Sequence, residues 1–280
     1  MTPTSDLTAQ LTAMLAPVAG AEAEGEARRI VEAARAARPG DFAELATRWA
    51  QRRCEGVPLG QILGRQRFLG VDLMVGSNVL SPREETEILG REALAFLREL
   101  ASMRPGDELR IVDMGCGSGN LACALAVAMP QLRVWASDIS EDCAELTRAN
   151  VARLSLQDRV QVFAGDLFAP LADLGLANTI DMVVMNPPYI PSTSLEKGRA
   201  ELLRHEPREA FDGGPYGISI LGRLIEDSPP FLKEGGALLF EFGIAQERMI
   251  KAVVARKGHY TRSRMAQDSQ GKPRVMVLQQ

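Results

Sequence analysis

The sequence predicts a doubly wound α/β domain preceded by a small helical one, and three observations predict it. From residue 109 onward, short apolar runs alternate with helical stretches: strand, helix, strand, helix, strand, a connector, then strand, helix-strand and helix-strand-strand. Two of the strand ends carry ligand-type motifs, a glycine-rich turn at 114–120 and the tetrapeptide Asn186-Pro187-Pro188-Tyr189. Residues 4–53, by contrast, are rich in Ala, Leu, Glu and Arg and poor in β-branched residues.

The 280 residues are 46% hydrophobic and 24% charged, the make-up of a soluble globular protein with one large or two ordinary domains. A net charge of -4 provides no global basic field for duplex DNA, so nucleic acid is not the expected partner. Four cysteines without a CxxC pair read as reduced thiols of a cytoplasmic protein. Two histidines are too few for a His-rich metal site, and no metal is expected. We expect no signal peptide, because no basic segment precedes an apolar core, and no membrane span, because no apolar run is long enough.

In chain order, Leu7, Leu11, Met14 and Leu15, then Ile30, Val31 and Ala34, then Phe42, Leu45, Ala46 and Trp49 recur at helical spacing, with breaks at Pro17, Gly20 and Pro39-Gly40. Asp41 is placed to cap the last of these helices. This gives a helical N-terminal domain over 1–54. Residues 55–80 are a glycine-rich linker with a β-hairpin turning near Gly70. Pro82 and the acids after it read as the start of a helix running through Leu97, the beginning of the main domain over 81–280.

Leu109–Asp113 is a strand that runs into Gly115-Cys116-Gly117-Ser118-Gly119. Glycines there let a ligand approach the backbone, and the helix that follows offers unpaired N–H donors. The next strand ends at Asp138, about twenty residues on, the spacing of a ribose-hydroxyl acceptor. Turn and acid together fit a dinucleotide or S-adenosylmethionine, and GxGxG rather than GxGxxG favours the second. A third strand ends at Gly165-Asp166-Leu167-Phe168. Asp166 is positioned to accept from an adenine amino group, and Leu167 and Phe168 to cover the ring.

The run Ile180–Met185 is a buried strand that ends in Asn186. The Asn186 side-chain carbonyl accepts from an NH2 group. Two prolines fix the backbone and leave only carbonyl acceptors at 187 and 188, and Tyr189 offers a flat face. Such a notch holds a planar amide or an aromatic amine by both hydrogens. The polar stretch 191–217 is long enough for a lid or binding loop. After it come a helix over 218–228, a strand over 237–242, a helix over 245–257 and a final hairpin, an antiparallel sheet edge.

Together with the linker Gly56-Val57-Pro58-Leu59-Gly60-Gln61-Ile62-Leu63-Gly64, with Pro82-Arg83 and Glu85-Thr86-Glu87, and with Glu206-Pro207-Arg208-Glu209-Ala210 and Asp212-Gly213-Gly214, these motifs resemble the HemK/PrmC family of S-adenosylmethionine-dependent peptide-chain release factor glutamine methyltransferases. The resemblance covers nearly the whole chain. It implies a class I methyltransferase fold, Rossmann-like, with a doubly wound seven-stranded sheet. It also implies methyl transfer from S-adenosylmethionine, leaving S-adenosylhomocysteine, to the glutamine amide of the release-factor Gly-Gly-Gln motif. Asn186, Pro187 and Tyr189 are then catalytic, with Pro188 also against the substrate. Cofactor contacts fall to Gly115–Gly119, Asp138, Asp166, Leu167, Asn186 and Thr86. Ser81, Glu84, Gly60-Gln61, Asn120 and Tyr216 depart from the family pattern and leave the acceptor open. A paralogue acting on another planar nitrogen of a small molecule is the alternative, and adenine in nucleic acid a further one.

Overall fold

A computed structural model of the chain describes residues 3–198 and 202–280. Two compact units are distinguished, Met1–Gln66 and Arg67–Gln280. The first contains α1 (Pro3–Ala19), α2 (Ala23–Ala37), α3 (Phe42–Cys54) and the short α4 (Leu59–Leu63). Its core contains Leu11, Leu15, Ile30, Val31, Ala34, Leu45 and Ala46 of the helical-period set read from the sequence, together with Ala27, while Met14 of that set is exposed. Asp41 precedes α3 as expected, but its side chain makes no capping bond. The boundary between the units falls inside β1 (Arg65–Phe68), which turns at Gly70 into β2 (Val71–Met74).

The second unit continues with α5 (Thr86–Met103), β3 (Leu109–Met114), α6 (Asn120–Ala128), β4 (Leu132–Asp138), α7 (Glu141–Arg153), β5 (Val160–Ala164) and β6 (Ile180–Met185). There follow α8 (Ser192–Gly198), α9 (Ser219–Asp227), β7 (Leu232–Glu241), α10 (Glu247–Lys257), β8 (Arg262–Gln267) and β9 (Pro273–Gln279). The sheet has seven strands in the order β5-β4-β3-β6-β7-β9-β8. β3 to β7 run parallel, and β9 is antiparallel to both its neighbours. The expected doubly wound fold with an antiparallel margin is therefore present. Both faces of the sheet are covered. One apolar layer joins Ile111, Val134 and Val184 to residues of α5 and α6. The other joins Val112, Val183 and Leu238 to residues of α9 and α10. That is why the central strands read as unbroken apolar runs.

The direction of winding reverses between β3 and β6, which lie side by side with Met114 opposite Met185. Open α/β sheets place their ligand crevice at this switch point. The register also sets Met185 opposite Phe240 of β7, and Glu241 opposite Val275 of β9. The first residues beyond β3 and β6, and the last residue of β7, are thereby gathered at one end of the sheet.

Two local expectations change. Pro82 does not open a helix: α5 begins at Thr86. Glu206 holds the preceding segment outside the helix, accepting from the Ser81 N–H at 2.9 Å and pairing with Arg83. The strand expected over 237–242 starts five residues earlier, at Leu232. Of the polar stretch 191–217, residues 199–201 lie outside the described residues. Among the described residues no helix is long and apolar enough to cross a membrane.

Candidate active site

A cavity of about 640 Å³ opens at the switch point. Its wall takes in Gly115, Cys116, Gly117 and Ser118 from the glycine turn, Asp138 from the end of β4, and Asp166 and Leu167 beyond β5. It also takes in Thr86 of α5, and Asn186 and Pro188 beyond β6. Of the residues singled out from the sequence, Gly119, Pro187 and Tyr189 lie off this wall, as does Phe168, which stacks on Phe231 with ring centroids 4.5 Å apart.

The glycine turn is left-handed at three positions, with φ of 64° at Gly115, 57° at Gly117 and 75° at Gly119. At Gly119 a Cβ would lie 2.8 Å from the Thr147 methyl, so only glycine fits. Two side chains of α7 brace the turn from beneath. Thr147 Oγ1 donates to the Gly117 carbonyl at 2.9 Å. Asn150 Nδ2 donates to the Ser118 carbonyl at 2.9 Å and to the Met74 carbonyl at 3.0 Å, while Asn150 Oδ1 accepts from the Met74 N–H at 2.8 Å. Both are fully buried. Their burial is visible only in the fold, and the sequence shows only two polar residues three apart on a helix.

Asp138 accepts from the Gly117 N–H and the Ser140 N–H, both at 2.9 Å, one on each oxygen. Burial raises its carboxyl pKa, and those two hydrogen bonds oppose the rise. Asp138 borders the cavity as an acceptor group, the chemistry needed to accept from a vicinal diol. Asp166 is half exposed and is held in a two-point contact by Arg223, at 3.1 and 2.8 Å. The buried Ser118 hydroxyl has no partner among the described residues. Cys116 and Cys143 also border the cavity, and burial raises both thiols, Cys143 to about 12, so neither is a thiolate nucleophile.

On the other side of the cavity Asn186 Nδ2 donates to Thr86 Oγ1 at 2.8 Å. Thr86 Oγ1 donates to Glu241 Oε2 at 2.8 Å. The second Glu241 oxygen accepts from the Tyr189 hydroxyl at 3.0 Å and from Arg274 at 3.3 Å. Burial raises the Tyr189 phenol well above its ordinary range, so it stays a donor. The residues after the tetrapeptide are also fixed. Gln246 Nε2 donates to the Tyr189 carbonyl at 2.8 Å, and the Gly213 N–H donates to the Ile190 carbonyl at 2.9 Å. Glu241, Arg274 and Gln246 were not singled out from the sequence. An acid interrupting the apolar run Leu238-Leu239-Phe240…Phe242 is the signal that points to the first.

The described residues contain no group of three or more His, Cys, Asp or Glu that could hold a metal ion. Chemically, the site combines a backbone cradle and a diol acceptor on one wall with a side-chain carbonyl acceptor on the other.

Comparison with known proteins gives the family and the fold. The methyltransferase small domain family matches residues 92–211. The release factor glutamine methyltransferase of Gloeobacter violaceus is 36% identical over 84% of this chain and 78% of its own length. That of Geobacter sulfurreducens is 36% identical over 80% of this chain and 74% of its own. Among solved structures, the N-terminal domain of human METTL16 superposes with a TM-score of 0.55 at 16% identity, covering 79% of each chain, a likeness of fold alone.

Proposed function

The chain belongs to the release factor glutamine methyltransferase family, and from that premise we propose that it transfers a methyl group from S-adenosylmethionine to the side-chain amide nitrogen of the glutamine in the Gly-Gly-Gln motif of peptide-chain release factors, in the cytoplasm. The observation that carries this reading is the shared cavity: the glycine turn and Asn186 leave adjacent strands at opposed register positions and face the same space.

The residues present fit the cofactor. Asp138 suits the ribose hydroxyls, Leu167 and Asp166 the adenine, and the open backbone of Gly115–Gly117 the methionine portion beside Asn186. The unpartnered Ser118 hydroxyl is a further polar group on that wall. When bound, S-adenosylmethionine supplies an electrophilic sulfonium methyl.

The chain's own contribution is position. An amide nitrogen is a poor nucleophile because its lone pair is delocalised. Asn186 Oδ1 and the Pro187 carbonyl accept the two N–H groups of the acceptor, which turns the nitrogen towards the methyl donor. Tyr189 lies off the cavity wall, and its anchoring by Glu241 fixes the tetrapeptide that presents Asn186; contact of its ring with the amide plane is the role the family resemblance implies. Alignment of this kind lowers barriers by as much as ~7–11 kcal/mol in well-oriented intramolecular reactions.

Replacing Asn186 with Ala is expected to leave S-adenosylhomocysteine affinity within about threefold and to lower kcat on a Gly-Gly-Gln peptide by at least about a hundredfold. Calorimetry and a labelled-methyl assay read the two separately. Equal losses in both would move Asn186 to the cofactor side and overturn its assigned role.

A further inference from the structure

We propose that Glu241, acting through Thr86, sets which end of the Asn186 amide faces the acceptor, and so makes the site select an amide nitrogen over a carboxylate. This rests on the acceptor class named under Proposed function.

A side-chain amide has nearly the same shape in its two flipped orientations, but one presents an acceptor and the other a donor. Something must choose between them. Asn186 touches Thr86 Oγ1 at 2.8 Å, and a hydroxyl is itself indifferent, since it donates or accepts. The indifference ends at Glu241. Its carboxylate, 1% exposed, is acceptor-only when ionised and takes the Thr86 proton at 2.8 Å. Thr86 then has only lone pairs to offer, and only the NH2 end of Asn186 satisfies one. The carbonyl end is left for the cavity.

Burial raises the Glu241 carboxyl above its ordinary range, and the hydrogen bonds from Thr86 and Tyr189 and the charge of Arg274 oppose that rise and orient the group. Arg274 and the Tyr189 hydroxyl both donate to Oε1. The five side chains come from four places, α5, the turn after β6, the end of β7 and the start of β9, and they meet because the sheet register sets Met185 opposite Phe240 and Glu241 opposite Val275. Glu241 is a positioning residue, since it reaches the acceptor only through Thr86 and Asn186.

The consequence for specificity is direct. A glutamine acceptor offers N–H groups to the Asn186 carbonyl, whereas a glutamate of the same shape offers only oxygens and leaves that carbonyl facing a carboxylate. The isosteric change Glu241→Gln inverts the relay. Arg274 retains an oxygen at the Oε1 position, so the new NH2 falls at the Oε2 position, against Thr86. Thr86 must then accept there and donate to Asn186, which flips and turns its own NH2 into the cavity.

The test uses the full chain loaded with S-adenosylhomocysteine and two peptides that differ only in Gly-Gly-Gln against Gly-Gly-Glu. Calorimetry gives each affinity, and a parallel assay with S-adenosylmethionine gives kcat. The wild type is expected to prefer the glutamine peptide. Glu241→Gln is expected to move that preference by about tenfold towards the glutamate peptide and to lower kcat by at least about tenfold, with S-adenosylhomocysteine affinity within about threefold. Thr86→Val cuts the relay at its middle and is expected to lower kcat similarly, and Thr86→Ser to restore it. This pair carries the test if Glu241→Gln fails to fold. A peptide preference that moves less than about threefold in Glu241→Gln overturns the proposal, as does a Thr86→Val protein that loses cofactor affinity in step with kcat. A wild type that methylates no glutamine peptide removes the acceptor assignment, and the relay's purpose with it. A wild type that methylates while Glu241→Gln keeps its rate and preference overturns the relay alone.

Discussion

Asp113, next to last in β3, and Asp138, the last residue of β4, lie on neighbouring parallel strands, yet only Asp138 borders the cavity. Asp113 is sealed behind the glycine turn, where its Oδ2 accepts from the Ala122 N–H at 2.9 Å and its Oδ1 has no partner among the described residues. Burial pushes its carboxyl up to about 7. The folded protein therefore holds a proton that the unfolded chain releases near pH 4, and stability falls as pH rises from about 4 to about 7, levelling off above. Asn at this position keeps an acceptor for Ala122 and does not titrate. In urea melts across that window, Asp113→Asn is expected to gain on the wild type by a few kcal/mol as pH rises. A stability difference that stays flat with pH would refute the buried titration. The residue scale also marks what was legible. Asn186 and the glycines announce themselves by type and spacing, whereas Asp113 differs from Asp138 only in what covers it.

At the scale of elements, the turn after β6 is braced by the stretch 211–217 and by the residues between β7 and α10. Gly217 has φ of 72°, and a Cβ there would lie 2.2 Å from the Tyr189 carbonyl oxygen. Gly217→Ala combines a strained backbone with a forced shift of Tyr189, while the glycine turn, on the opposite wall, is untouched. We expect kcat to drop by about one to two orders of magnitude, with cofactor affinity nearly unchanged, because a displacement near 1 Å is enough to misalign an acceptor. Equal kcat in the variant and wild type, measured at saturating cofactor, would show that the brace does not position the tetrapeptide. The elements themselves were legible because apolar periodicity is local: β3, β4 and β6 show as runs, and α1 to α3 as helical stripes. The start of α5 differs from the expectation because Ser81–Arg83 is held outside the helix by Glu206, more than a hundred residues away. Nothing in the local pattern of Pro82 and acids records that contact.

Across the whole molecule, the two ends of the sheet divide the work. The cavity lies at the carboxyl ends of the strands, and at the opposite end sits Asp181, 1% exposed. It accepts from Arg104 at 2.7 Å, Lys233 at 3.0 Å and the Arg110 backbone N–H at 2.8 Å, joining β3, β6 and β7 to the turn after α5. Asp181→Ala leaves that N–H and two half-exposed cations without their partner. We expect a loss of roughly 2–4 kcal/mol in denaturant melts, and a folded fraction whose kcat and cofactor affinity match the wild type. A kinetic defect in the folded variant would contradict this division between stabilising and catalytic ends.

The sequence by itself determined the fold class, the strand-end positions of the glycine turn and the tetrapeptide, and the chemistry each offers, because these depend on periodicity and residue type over short spans. Only the tertiary structure decided that Thr86, Asn186, Glu241 and Arg274 act together. They are separated by up to 188 residues and meet through strand register and the reversal of winding at β3 and β6. A hydrogen-bond relay takes its direction from the one group in it that cannot donate. That group, Glu241, lies far along the chain from the amide it orients.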